Sequence, residues 1–378
     1  MSLKRWILQI AAMTLFSSAV AEFDATIPVL DMKQYYRQET KEKFVKELYD
    51  ALHEVGFFAI VNTGVNAEIL DNGYRACFEY FALPFDEKMR SFSLSTNGQR
   101  GYVPGESAKG SHLGDFKEFY HVGRERSEEQ ARALSTWQNI WPSDFNLKDP
   151  LYSLFTALQE YTLSLSSAIS EAMGAGSGLL QEMIVDGDVL MRAIHYPANP
   201  PKESFWAAEH TDIDLFTILP RATAEGLQVR NKEGEWIDVK VPENAFIVNG
   251  GDMLENITNG EFRSGLHRVV AKRDGYERYS LVFFVHPRSQ DRLDPLQACI
   301  DRTGGVPKYA KATRLELLEE RLVDLGLASP VMMQHLAESG LMERLIEVGR
   351  ASPKAMKKLR EAGLASEAVL AELLRLGQ

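Results

Sequence analysis

His210-Thr211-Asp212-Ile213-Asp214-Leu215-Phe216-Thr217-Ile218-Leu219 is the stretch whose reading decides the fold. It opens with an imidazole and a carboxylate two positions apart and runs on into an apolar segment. In a strand, positions i and i+2 share a face, so His210 and Asp212 project together into whatever the sheet encloses. His267 lies 55 positions after Asp212, enough chain for several hairpins to return a strand alongside. Arg278-Tyr279-Ser280 comes 11 positions later and aims a guanidinium and a hydroxyl at one spot. Two imidazoles and one carboxylate suit a divalent first-row metal whose other coordination positions stay open. An arginine held beside them suits bidentate recognition of a carboxylate.

Working outward, the period-two pattern begins at Val189, where Arg192, Ile194 and Tyr196 share a face and Pro197 ends the run. Short strands are predicted over 210–219, 226–230, 236–239, 245–249, 265–271 and 278–285, with hairpin-type turns at Asn231-Lys232-Glu233-Gly234 and Asn259-Gly260. Upstream, the pattern is helical. Phe44, Val45, Leu48, Leu52 and Val55 recur at helical spacing up to Gly56, and Phe57–Val61 is a compact β run. A second helix carries Ile69, Leu70, Tyr74, Phe78 and Phe81 and closes at Pro84. A third spans Leu151–Met173 and stops at Gly174-Ala175-Gly176. These elements predict an α+β protein: a β-sandwich or jelly-roll core carried by N-terminal helices. The Gln99–Gly123 segment is loop-rich, and Tyr102, His112 and Phe116 there either border a pocket or belong to ordinary surface loop. His53 reads as a packing residue, and His195 points to the face opposite Tyr196.

At 378 residues, 45% hydrophobic and 25% charged, the composition is that of a soluble globular chain. A net charge of −11 argues against nucleic acid or an anionic membrane as partner. Cys77 and Cys299 allow at most one disulfide and form no metal knuckle, and the aromatic neighbours of Cys77 predict a buried thiol. Lys4 and Arg5, the apolar run Trp6–Phe16 and the small-x-small Ala19-Val20-Ala21 have the layout of a secretory signal peptide over residues 1–21. Its removal takes two positive charges away and leaves −13. Export is therefore the expected localisation, with cytoplasm the alternative. No other stretch is long and apolar enough to span a membrane.

After Tyr309 no aromatic residue of the Phe, Tyr or Trp type occurs. Ala328–Leu341 recurs 23 residues on as Ala351–Leu364 with eight of fourteen positions identical, and Ala365-Ser366 begins a degenerate third copy ending at Gly377. Each copy has a Ser N-cap, Pro or Glu at the first helical position and a Gly stop, which predicts short helices that pack on one another or on a partner protein.

The ordered motifs make a resemblance plain. Ile27-Pro28-Val29-Leu30-Asp31, Gly56-Phe57-Phe58, Asp115–Phe119, Arg192–Pro197, His210-Thr211-Asp212, Gly226–Val229, Gly251-Asp252, Thr258-Asn259-Gly260, Ser264–Val269 and Arg278-Tyr279-Ser280 follow one another at family spacing. The chain resembles the isopenicillin N synthase-like branch of the Fe(II)/2-oxoglutarate-dependent oxygenases from Ile27 to about Leu325. The resemblance implies a double-stranded β-helix core and Fe(II) held by His210, Asp212 and His267. It also implies that Arg278 and Ser280 bind the distal carboxylate of 2-oxoglutarate, with Tyr196 touching the same co-substrate. The usual Asn two positions before that tyrosine is Ile194 here, and Arg192 on the same strand face is a candidate replacement. The implied reaction uses O2, yields succinate and CO2 and oxidises a small-molecule substrate, with ascorbate as a candidate reductant. Relatives that use the same iron site without 2-oxoglutarate, and a scaffold acting through the repeats, are the competing readings. On this basis the chain divides into a signal peptide (1–21), a helical and mixed region (22–185), the Fe(II)/2-oxoglutarate core (186–290), a completing helix (291–327) and a helical repeat extension (328–378).

Overall fold

The apolar spacing of Phe44, Leu48, Ala51 and Leu52 folds as α1 (Gln38–Glu54), and the chain leaves it through Gly56, whose φ of 75° is left-handed. α2 (Ala67–Phe81) buries Leu70, Tyr74, Cys77 and Phe81, and α3 (Lys148–Ala172) ends ahead of Gly174 at φ 76°. This computed structural model describes residues 25–96, 98–105, 115–134, 136–202 and 204–378. The expected signal peptide and His112 lie outside them. Among the described residues no helix is long and apolar enough to cross a membrane.

Among the described residues twelve strands form two sheets. In chain order they are β1 (Val29–Asp31), β2 (Phe57–Val61), β3 (Gly101–Val103), β4 (Glu118–Gly123), β5 (Leu190–Tyr196) and β6 (Ala207–His210). The remainder are β7 (Phe216–Leu219), β8 (Leu227–Arg230), β9 (Trp236–Asp238), β10 (Phe246–Gly250), β11 (His267–Val269) and β12 (Arg278–Val285). The larger sheet runs β1-β2-β10-β7-β12-β5-β4-β3 and the smaller β6-β11-β8-β9. Phe119, Ile194, Tyr196 and Val282 of the first pack on Ala207, Leu227 and Val269 of the second and on Trp206 just ahead of β6, consistent with the expected jelly roll.

β12 explains why the strand reads as one apolar run. Tyr279, Leu281, Phe283 and Val285 belong to the cluster shared with the helices, while Val282 and Phe284 join the inter-sheet cluster. The larger sheet is buried on both faces, so alternation fades from its sequence.

The described helices continue with α4 (Asp252–Ile257) and α5 (Arg314–Leu325), then α6 (Pro330–Ser339), α7 (Leu341–Glu347), α8 (Pro353–Glu361) and α9 (Glu367–Arg375). Ser329, Ser352 and Ser366 cap α6, α8 and α9 with their side chains. Leu336, Leu345, Met356, Leu359 and Leu373 share a small core with Val323 of α5. The last four helices thus dock on the end of the main body.

Three expectations are corrected. Residues 210–219 are not one strand: β6 and β7 lie in different sheets, and the chain crosses between them through 211–215. Asn259-Gly260 closes α4 with both residues at positive φ instead of turning a hairpin, because Asp252–Ile257 is helical. Tyr102 is neither pocket wall nor surface loop: it lies on β3, is 1% exposed, packs with Tyr80 and donates to Glu118. Phe116 does pack against the inter-sheet cluster. Cys77 and Cys299 are separate buried thiols, both pushed up to about 12 by burial.

Candidate metal and co-substrate site

His267 pairs with His210 across β11 and β6, and the two rings lie 4.2 Å apart centroid to centroid. The ligand atoms of His210, Asp212 and His267 all lie within 4.8 Å of one another. Their convergence has a different origin from simple strand alternation. β6 ends at His210, and Asp212 reaches the site from the crossing segment, held by backbone bonds from Asp252 to Asp212 O (2.8 Å) and from Met253 to Asp214 O (2.9 Å).

Each ligand has one side fixed and one side open. Nδ1 of His210 pairs with the carbonyl of Ala208 at 2.7 Å, and Nδ1 of His267 with that of Gly265 at 3.0 Å. A neutral ring that donates from Nδ1 turns a lone pair outward on Nε2, the form a metal takes. Asp212 Oδ2 accepts from Thr217 Oγ1 (2.6 Å) and Asn249 Nδ2 (3.0 Å), while Oδ1 faces His210 Nε2 at 3.8 Å. A side chain at Gly265 would run into the Phe57 ring, which itself stands edge-on to His267 at 5.5 Å, so glycine is required by close approach.

Protonation follows the same design. Burial, then the neighbouring His267, pushes His210 down to about 3 against the pull of Asp212. Burial acts to raise Asp212, but His267, His210 and the hydrogen bonds of Thr217 and Asn249 outweigh it and hold the carboxyl below its usual range. Burial and the charge of Asp212 push Asp214 well up, the opposite direction to its neighbour. A neutral imidazole with an ionised carboxylate is the donor state a divalent cation needs.

Arg278 and Tyr196 are cross-strand partners on β12 and β5, with the guanidinium 5.0 Å from the ring centroid. Arg278 is 3% exposed and donates from Nε to the carbonyl of Ala224 at 3.1 Å, leaving Nη1 buried with no protein partner among the described residues. A buried, unsatisfied guanidinium nitrogen is costly unless a ligand completes it. Arg278 and Ser280 line a cavity of about 320 Å³ with Leu219, Leu227, Val239 and Ile247. The residues present therefore fit a divalent metal at His210, Asp212 and His267 and a carboxylate-bearing group at the Arg278 cavity.

Arg192 does not replace the absent Asn. It pairs with Val282, whereas Tyr196 pairs with Arg278, which puts it four positions, or about 13 Å, along the strand from the Arg278–Tyr196 pair. It donates to His121 Nε2 at 2.6 Å and stacks over Phe119 and Phe284. His195 faces away from the cavity and pairs with Glu118 and Glu277. Sequence reasoning missed the roles of Thr217 and Asn249 on Asp212. It also missed Asp115, which pairs with Lys117 at 2.8 Å and accepts from the backbone of Ala208 beside β6. The available signals were the i, i+2 spacing of Asp115 and Lys117 and their place in the Asp115–Phe119 motif.

Residues 27–144 match the family described as the N-terminal region of the non-haem dioxygenase in morphine synthesis, and residues 187–287 match the 2OG-Fe(II) oxygenase superfamily. The 2-oxoglutarate-dependent dioxygenase tropC of Talaromyces stipitatus is 31% identical over 303 residues, covering 75% of this chain and 91% of that protein. Among solved structures, a 2OG-Fe(II) oxygenase family protein of Caulobacter crescentus superposes with a TM-score of 0.71 at 30% identity, covering 79% of this chain and 98% of the other. A full-length Neurospora crassa protein in complex with alpha-KG superposes with a TM-score of 0.70 at 25% identity, covering 78% and 95%. The chain belongs to the 2OG-Fe(II) oxygenase superfamily. It is an Fe(II)- and 2-oxoglutarate-dependent oxygenase.

Proposed function

We propose that His210, Asp212 and His267 hold the Fe(II), and that Arg278, Ser280 and Tyr196 receive the distal carboxylate of 2-oxoglutarate. The observation that carries this reading is the pairing of three ligand atoms turned to one point with a buried Arg278 Nη1 that has no protein partner among the described residues. Bound there, Fe(II) would supply activation of O2 coupled to decarboxylation of 2-oxoglutarate, with ascorbate a candidate reductant. The protein's part is positional. Ala208 O and Gly265 O fix the two imidazoles, Thr217 and Asn249 fix Asp212, and the Ala224 carbonyl sets the guanidinium plane against Tyr196. The apolar wall of Leu219, Leu227 and Ile247 excludes water around the co-substrate carboxylate and strengthens its pairing with Arg278.

Within the superfamily we place the chain in the isopenicillin N synthase-like branch, supported by its ordered motifs from Ile27 to about Leu325, and its substrate class as a small molecule. We read residues 186–290 as the reacting core, 22–185 and 291–327 as its support, and 328–378 as an added helical repeat extension suited to a protein partner or self-association. Residues 1–21 read as a signal peptide and the protein as exported, which N-terminal sequencing of the mature chain tests: retention of Met1 would overturn it. Adding 2-oxoglutarate to the anaerobic Fe(II) protein is expected to produce a visible charge-transfer band, and admitting O2 to release succinate. A His210→Ala, Asp212→Ala or His267→Ala chain that kept the band would overturn the ligand assignment. Substrate turnover without succinate would transfer the chain to the 2-oxoglutarate-independent oxidases.

A further inference from the structure

Asp252, at the start of α4, touches both segments that carry the proposed iron ligands. Its Oδ1 accepts from Ser264 Oγ at 2.6 Å, just ahead of His267, and its Oδ2 accepts from Thr211 Oγ1 at 3.3 Å, between His210 and Asp212. Its backbone N–H donates to Asp212 O at 2.8 Å. One carboxylate thus fastens the crossing segment 211–215 to the segment leading into β11. It has one cationic partner among the described residues: Arg321 of α5, whose Nη2 donates to Oδ2.

Arg321 and Asp252 are both largely buried, at 20% and 18% side-chain exposure. Removing one member of such a pair leaves the other charge uncompensated. An unpaired Asp252 is expected to draw in water or turn outward, and either change loosens its bonds to Thr211 and Ser264. Capping α4 alone would explain an acid at the helix start, but it requires neither of those hydroxyls nor an arginine from a helix 69 positions away.

We infer that Arg321 is a positioning residue for the iron site, acting through Asp252 to hold the Thr211–Asp212 and Ser264–His267 segments in register. The inference rests on the ligand assignment proposed above. Residues behind metal ligands typically shift metal affinity by about 10–100-fold, and Arg321 stands one group further out than Thr217 or Asn249. The full-length metal-free chain would be titrated with Co(II), read by its visible absorption, with circular dichroism recorded in parallel.

Arg321→Ala is expected to weaken Co(II) binding by about 10-fold, at the lower end of that range, with an unchanged helical signal, and Arg321→Lys to recover most of the loss. Arg344→Ala, which removes the 2.7 Å pair with Glu316 on the same helix but touches neither ligand segment, is expected to leave Co(II) affinity unchanged. Wild-type affinity in folded Arg321→Ala would overturn the inference, as would an equal loss in Arg344→Ala. If Arg321→Ala fails to fold, Ser264→Ala decides: it removes only the bond to Oδ1, and wild-type affinity there overturns the inference equally. Failure of the unmodified chain to take up Co(II) would overturn the ligand assignment itself, and the inference with it.

Discussion

Thr217 Oγ1 donates to Asp212 Oδ2 at 2.6 Å from the inner face of β7, with Asn249 Nδ2 on β10 completing the grip at 3.0 Å. The carboxylate is left with one oxygen for a cation, its plane set by two strands of the larger sheet. Thr217→Val keeps the shape and deletes the donor. Metal affinity is expected to fall by about 10–100-fold, with Asn249→Leu giving a loss of the same order. Since both groups grip one oxygen, the double variant should lose less than the product of the two. Titration of the metal-free chains checks this, and additive losses would show that the two bonds act independently.

Arg278→Lys replaces a planar fork by a single ammonium, which cannot keep both the Ala224 carbonyl and a bidentate carboxylate. The KM for 2-oxoglutarate is expected to rise by about 10–100-fold, the equivalent of a charged hydrogen bond worth about 1.5–3 kcal/mol. Metal affinity should be unaffected, because no ligand touches Arg278. Steady-state succinate release as a function of 2-oxoglutarate concentration is the measurement.

The protonation of His210 gives a signed pH dependence. The unfolded chain takes up this proton at the ordinary value of 6.5, whereas the folded chain resists to about 3, chiefly through burial. The stability that a neutral His210 contributes is therefore fully present above pH 6.5 and lost as pH falls through that window. His335 has the opposite sign. Its bond to Glu319 raises it, so its contribution is present below the usual histidine value and lost as pH rises through the folded one. Imidazole C–H resonances of the metal-free protein should show His210 silent down to about pH 5 while His335 titrates above the normal range. A His210 midpoint near neutrality would contradict a ring held neutral by burial.

The core shared by the last four helices and α5 makes a stability prediction. Leu359 is 1% exposed within it, and Leu359→Ala is expected to cost about 2–5 kcal/mol. Leu374 is 78% exposed, and Leu374→Ala should stay within about 0.5 kcal/mol of the parent. Chemical denaturation of the full chain followed by circular dichroism separates the two. Equal losses would mean that the α9 surface is covered in solution.

Much of the architecture is legible in local sequence. The apolar spacing of Phe44–Leu52, the β run Phe57–Val61, the Ser caps at 329, 352 and 366 and the glycines at 56 and 174 are signals of short range, and each lies where the chain forms that element. The identities of the metal-binding and carboxylate-binding side chains are likewise visible, because few residue types supply that chemistry. Less visible was how they meet. The i, i+2 argument for His210 and Asp212 gave the right neighbours by the wrong route, since an apolar run does not reveal where the chain leaves one sheet for another.

The sequence by itself determined which donors the chain carries and the order in which they arrive: two imidazoles, a carboxylate, an arginine and a serine spaced over 210–280. Only the tertiary structure decided which atom of each is available. Hydrogen bonds to the carbonyls of Ala208, Gly265 and Ala224 and from Thr217 and Asn249 engage one side of His210, His267, Arg278 and Asp212; Ala208 and Gly265 lie two positions ahead of their histidines, whereas Thr217, Asn249 and Ala224 come from other strands or from a bend. The same holds for Arg192, which shares a strand face with Tyr196 but lies about 13 Å from it along the strand. Periodicity fixes the face a side chain points to; its position along that face, and the partner it meets there, depend on the register between strands distant in the chain.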